Sequence, residues 1–384
     1  MNDSSDTNIY NCHVHVFTIH QVPNEAHPAI PLLRSRGFVR TARAVLAWMN
    51  PLINAYLGIG SPSRIGLPLR LLAFLDIGES DSKGNPVTQQ LIFDRLWGAY
   101  PSGTKFVLLP IDMDYITHEY RPAPRNYELQ LQELRDLRTK MPDVVMPFIC
   151  ADPRRPKFLD LIKEYIEQHQ FAGIKLYPAL GFFPFDARLD DMYSWAEANE
   201  VPITTHCTPG GLYARRFEPT HRVHPKTHRH LPGNSPSEFA KNYSDPRNYD
   251  WVLERFPKLK LCFAHLGGDW HWRRFLEQSR ETKPEDLSWT SVILNHMKRF
   301  PNVYADISYA AYDRDLLPLL KVFVNTPYAG ERILFGTDYF VVRVEAAERE
   351  FSIRVRGFLG EADYFKIANT NPKKFLQNRV FELI

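Results

Sequence analysis

Ile9-Tyr-Asn-Cys-His-Val-His-Val16 is the stretch on which the fold turns. On an extended segment successive side chains alternate, so His13 and His15 share one face while Cys12, Val14 and Val16 share the other. Read as a strand, the apolar set faces surrounding helices and both imidazoles point into the interior of a closed sheet. Two neutral imidazoles at that spacing suit a borderline-soft divalent cation such as zinc. An HxH pair alone carries little weight, so its meaning depends on what the rest of the chain sets beside it.

After this strand an insertion over 20–102, rich in Leu, Ala and Arg, reads as mainly helical. Its apolar stretch 44–60 contains Asn50, Pro51 and Asn54 and is too short and interrupted to span a bilayer. Strands and helices then alternate. Seven more strands are expected at 105–111, 144–150, 171–177, 201–206, 259–265, 302–306 and 332–335, with helices at 126–140 and 156–169 and a closing helix and tail at 363–384. Eight such units imply a parallel sheet closed into an α/β (β/α)8 barrel of the TIM type, one domain over 1–384. The segment 208–246 is long, Pro-rich and holds His221, His224, His228 and His230. It reads as a loop after strand five that covers the active site as a lid.

Composition narrows the class. A length of 384 residues fits one barrel with insertions, and 44% hydrophobic with 24% charged residues is ordinary for a globular protein. Lys plus Arg number 47 against 44 Asp plus Glu, which gives no overall field for nucleic acid. The basic run 215–229 lacks the aromatic interleaving of a single-strand binder. No glycine-rich phosphate loop follows any strand, which argues against a nucleotide site. The four cysteines have no CxxC spacing, and the opening residues 1–8 are polar with Asp3 and Asp6, unlike a secretory leader. A cytoplasmic protein with reduced thiols is expected.

The carboxyl ends of the later strands repeat the opening pattern. In Phe171-Ala-Gly-Ile-Lys-Leu-Tyr177, Ile174 and Leu176 take the helix side and turn Lys175 inward. His206 ends the fifth strand, His265 the sixth and Asp338 follows the eighth. Barrel enzymes place their catalytic groups at that end, so the set as a whole is far more specific than any single motif.

These segments, namely His13-Val14-His15, Gly173-Ile-Lys-Leu-Tyr-Pro178, His206, His265-Leu-Gly-Gly268 and Gly336-Thr-Asp338, resemble the amidohydrolase superfamily, in particular the branch that holds aminocarboxymuconate-semialdehyde decarboxylase. Asn369-Thr-Asn-Pro-Lys-Lys-Phe-Leu376 is similar to that branch's closing helix, and the early insertion lies outside the likeness. The resemblance implies that His13, His15, His206 and Asp338 ligate a divalent metal, zinc first and manganese as the alternative. With one ion, His265 is the acid/base and substrate-orienting group and Lys175 is free to bind a substrate carboxylate. With two ions, a carboxylated Lys175 and His265 become ligands. The resemblance also brings homodimerisation into view.

The leading reading is metal-dependent hydrolysis of a C–N or C–O bond in a small anionic substrate, an amide, ester or lactone. Asp338 takes the proton of an activated water and His265 steadies the developing oxyanion. The alternative is non-oxidative decarboxylation of an aromatic or unsaturated carboxylic acid. Lys175 and Tyr177 are candidate substrate contacts. Arg216 and Arg222 in the loop are candidate clamps for an anion, since guanidinium forks match carboxylates.

Overall fold

The structure, a computed structural model, describes residues 8–26, 30–34 and 87–376. Most of the 20–102 insertion, including its apolar stretch 44–60, lies outside the described residues. Eight parallel strands follow one another in chain order: β1 Tyr10–Val14, β2 Lys105–Leu108, β3 Val145–Ala151, β4 Gly173–Leu176, β5 Ile203–Thr205, β6 Leu261–Phe263, β7 Val303–Asp306 and β8 Ile333–Leu334. Every expected strand is present, most of them a few residues shorter than its apolar run. The sheet curls into a nearly closed barrel. Across the seam, the Cys12 amide donates to the Phe335 carbonyl at 2.8 Å, and Val14 bridges Tyr339.

Helices fill the connections for the reasons the sequence suggests. Tyr127–Lys140 starts at Asn126, whose side chain accepts the Leu129 amide, and it buries Leu131, Leu134 and Leu137 along one stripe. Phe158–Glu167 buries Ile162, Tyr165 and Ile166 in the same manner. Between barrel and helices lies the main core, to which the strands contribute Ile174, Leu176, Ile203, Leu261, Phe263 and Val303. Inside the barrel a smaller cluster joins Tyr10, Cys12, Val107, Met146, Phe148, Cys262 and Leu334, closed at the amino end by Phe375 and Leu376.

Cys12 therefore corrects the simple alternation expected for the first strand. It packs inside the barrel, yet His13 and His15 also turn inward, and Val14 packs outward. The reason is a bulge. Asn11 pairs with Phe106 but Val14 pairs with Leu108, so β1 spends three steps where β2 spends two, and its faces exchange between Cys12 and His13. All four cysteines are buried thiols. Among the described residues, no helix is long and apolar enough to cross a membrane.

Candidate metal centre and active site

At the carboxyl end of β1, each imidazole is fixed through its Nδ1. His13 Nδ1 donates to Asp306 Oδ2 at 2.8 Å, and His15 Nδ1 donates to the Leu109 carbonyl at 2.7 Å. This leaves both Nε2 atoms as bare acceptors, 3.3 Å from each other. Asp338 Oδ1 stands 3.3 Å from His15 Nε2 and 3.6 Å from His13 Nε2. All three side chains are buried. Three acceptors with no hydrogen among them need positive charge at their centre, as a cation supplies. Ligands about 2.0–2.1 Å from a tetrahedral ion stand about 3.3 Å apart, so the observed separations fit a divalent metal. Acceptors behind each imidazole are the usual second layer of such a centre.

Electrostatics agree with neutral ligands. Burial pushes His13 down to about 3, against the pull of Asp306. Burial alone would raise Asp338. The adjacent His15 and the nearby His265 and His13 outweigh it and hold that carboxyl well below the usual range.

Local backbone detail brings the ligands together. Gly336 lets β8 lie against β1, since a Cβ there would sit 2.7 Å from His13 Cβ. Asp338 itself adopts φ 61°, a left-handed conformation that costs a non-glycine residue energy, and its amide is held by the His13 carbonyl at 2.9 Å. Below it, Glu348 Oε1 accepts from the Tyr100 hydroxyl at 2.6 Å and from Thr337 Oγ1 at 2.8 Å. Asn11 Nδ2 donates to Thr337 Oγ1 at 2.9 Å, so the residues beside the two ligand strands are tied to one carboxyl.

His265 leaves β6 through a run of positive φ from His265 to Gly268, the first two at 63° and 45°. The fully buried Trp272 steadies this turn by donating from Nε1 to the His265 and Leu266 carbonyls at 3.2 and 3.1 Å. Ser308 Oγ gives its proton to Asp306 Oδ1, so both the Ser308 carbonyl at 3.0 Å and Oγ at 2.9 Å are acceptors for His265 Nδ1. Nδ1 carries the proton, and Nε2 is the nitrogen left without a protein partner among the described residues.

Asp306 and Ser308 are the residues sequence reasoning passed over. Asp306 closes β7 as His206 and His265 close their strands, and that rule was the available signal. Its carboxylate receives His13 Nδ1, Ser308 Oγ and the His265 amide at 2.9 Å. His13, His265 and Asp306 have the proximity of a second metal group, but hydrogens already occupy the space between their atoms.

His206 stands apart from the three converging acceptors. Its ring stacks on Tyr177 at 4.1 Å, and its Nε2 donates to the Gly210 carbonyl at 2.9 Å. Lys175 points into the barrel, fully buried, and its Nζ has no hydrogen-bond partner among the described residues. Burial pushes its ammonium down, against the pull of Asp306 and Asp338. It does not line the cavity above.

That cavity measures about 1070 Å³ and opens over His15, His206, His265 and Asp338. Phe17, Ile111, Tyr177, Trp270, Trp289 and Phe340 give it a largely apolar, aromatic wall. Arg216 and Arg222 do not line it. Arg222 donates to the Gly233 carbonyl at 2.7 Å and lies 4.5 Å over the Phe217 ring, holding the loop to itself, while Arg216 faces outward. The arginine of this loop that lines the cavity is instead Arg215, stacked 5.0 Å over Tyr213, and Arg247 and Arg274 line it as well.

Comparison with known proteins agrees with this architecture. A 5-carboxyvanillate decarboxylase from Novosphingobium aromaticivorans, complexed with manganese and 4-hydroxy-3-methoxy-5-nitrobenzoic acid, is 15% identical over 96% of both chains, with a TM-score of 0.51. An amidohydrolase from Burkholderia multivorans with bound zinc is 11% identical over 96% of this chain and 99% of its own, TM-score 0.51. An uncharacterised TIM-barrel protein from Bordetella bronchiseptica is 16% identical over 97% and 99%, TM-score 0.50. At such identities the likeness is one of fold. Among curated proteins, none matches in sequence. The amidohydrolase family model, however, matches residues 119–377, well over half the chain and all the strand ends from Lys175 to Asp338. The chain belongs to the amidohydrolase family, on a barrel whose first and last strands bring His13, His15 and Asp338 together.

Proposed function

We propose that the protein is a metal-dependent, non-oxidative decarboxylase of small aromatic carboxylic acids. The observation that carries this reading is the pairing of three buried, converging acceptors with an aromatic, largely apolar cavity directly above them. Loss of carbon dioxide removes a carboxylate's charge, so a site that strips water from that carboxylate favours the step. Hydrolysis needs a water in the same place.

His13, His15 and Asp338 would hold one divalent ion, zinc or manganese by donor type. When bound, the ion supplies Lewis-acid polarisation of the substrate's oxygens. The aromatic wall orients the ring of the acid, and Arg215 meets a second polar group on it. His265 keeps its Nδ1 proton on Ser308, while its bare Nε2 takes up a proton from solvent and delivers it to the ring carbon in place of the departing carboxyl, which leaves as carbon dioxide. Asp306 fixes His13. Lys175 acts from beneath, as a buried charge rather than a substrate ligand.

Hydrolysis is the second reading. It is favoured by the ionised Asp338, a carboxylate able to take a water proton at the same cavity floor. Incubating the metal-loaded protein with carboxyl-labelled benzoic acids and with matched esters and amides separates the two. Labelled carbon dioxide supports decarboxylation. Release of the alcohol or amine with no labelled gas overturns it.

A further inference from the structure

Between β7 and the cavity wall the backbone passes through an unusual turn. Tyr309 adopts φ 57° and ψ −57°, outside the left-handed helical well that non-glycine residues occasionally use. The Ala310 amide donates to the Ser308 carbonyl across it at 2.6 Å. A hydrogen bond over two residues about such a centre defines the positive-φ γ-turn, a rare and strained form. Strain of this kind persists only where the surroundings over-determine it. The side chain supplies the restraint: the Tyr309 hydroxyl donates to Glu345 Oε1 at 3.2 Å, and its ring packs 5.0 Å from that of Tyr312. The amide is held as well, donating to the Thr337 carbonyl at 3.4 Å.

The same turn aims the Ser308 carbonyl, the acceptor of His265 Nδ1. A relaxed turn with negative φ at 309 would rotate that carbonyl away and leave Nδ1 facing only Ser308 Oγ at 2.9 Å, a hydroxyl that can donate as well as accept and so fixes neither tautomer. We propose that Tyr309 is a positioning residue: its anchored ring holds a strained turn that locks His265 in the Nδ1–H form, with Nε2 bare toward the cavity. The proposal rests on the place given to His265 in the proposed reaction, but the tautomer is readable without any turnover.

The test uses the full-length, metal-loaded chain with ¹⁵N-labelled histidine, the His265 ring signals being assigned by their loss in His265→Gln. Three variants separate ring, hydroxyl and backbone. Tyr309→Phe keeps ring and turn, so the single Nδ1–H signature and a turnover within about threefold of the parent are expected. Tyr309→Ala removes the anchor while remaining intolerant of positive φ. Its His265 signals become a tautomer average, and kcat falls at least about tenfold, the scale of a misplaced catalytic group. Tyr309→Gly also loses the ring but adopts positive φ freely, so it recovers the locked tautomer and part of the rate relative to Ala. Should Ala prove unstable, Tyr309→Asn, which tolerates positive φ better than Ala but less well than Gly, is expected between them. A locked tautomer in Ala, or a Gly variant no better than Ala, overturns the proposal. A tautomer that unlocks in Ala and relocks in Gly, in a protein that decarboxylates no acid, keeps this inference and removes the proposed reaction instead.

Discussion

At the cavity floor His13, His15 and Asp338 turn three acceptors toward one another with no donor between them. In the 208–246 segment, which ends in the helix Pro236–Ser244, two of four histidines and one arginine are consumed locally: His221 meets the Tyr243 hydroxyl at 2.9 Å, His224 meets Asn248 Oδ1 at 3.1 Å, and Arg222 reaches Gly233. Both regions are rich in histidine, yet only one leaves chemistry unfinished. What marks a site is a buried polar group whose partner is missing, and density of ligand-type residues is a poor guide to it.

The sharpest break of that contrast is His15→Ala against His221→Ala. The first is expected to weaken metal binding by more than about 100-fold, beyond what loss of a supporting group costs, and to end turnover. The second is expected to leave both unchanged. Metal content after dialysis reads the difference, and equal losses would erase the distinction between floor and loop.

Glu348 probes the support under the floor. Burial raises its carboxyl to about 7, partly offset by Tyr100 and Thr337, with Arg343 lowering it and Asp338 raising it further. The folded chain thus keeps a proton that the unfolded chain sheds near 4.5. Below that pH the two states match, and as pH climbs toward 7 stability declines, by about 3 kcal/mol in all. Denaturant titrations between pH 4.5 and 8 should show this slope in the parent and a flatter one in Glu348→Gln. Parallel slopes would show that Glu348 is ionised in the fold.

Asp306→Asn keeps the shape behind His13 but loses the charge, so metal affinity should drop about 10- to 100-fold. Competition against a chelator measures it, and an unchanged constant would make Asp306 a spectator. The smallest effects belong to the two arginines. Arg215→Ala should raise KM for aromatic acids about tenfold with little change in Tm, as one charge-assisted hydrogen bond is lost. Arg222→Ala should leave KM within about twofold and lower stability by about 1 kcal/mol through the lost ring contact. The reverse pattern would return the anion clamp to Arg222.

Much of this was legible in the sequence because barrels obey strong local rules. Short, largely apolar segments marked the strands, and ligand-type residues at the carboxyl ends of five of them pointed to one end of the barrel. Two features were not legible, and a third only in part. The β1 bulge exchanges the faces of the strand between Cys12 and His13, and no residue type announces an extra step. Arg215 and Arg216 are neighbours of one kind, and only the folded loop decides which faces the cavity. Asp306 was readable by the rule already applied to His206 and Asp338, but its task, holding His13 from behind, exists only once β7 lies beside β1's end.

The position of Gly336 against His13 has a consequence for how the molecule is made. The candidate ligands come from the first strand and from just beyond the last, 323 positions apart between His15 and Asp338. During synthesis His13 and His15 emerge early and wait for almost the entire polypeptide before their third companion exists. On the proposed ligand set, metal capture would be a clasp fastened late in assembly, and a bound ion would certify that the first and last strands of the barrel have met.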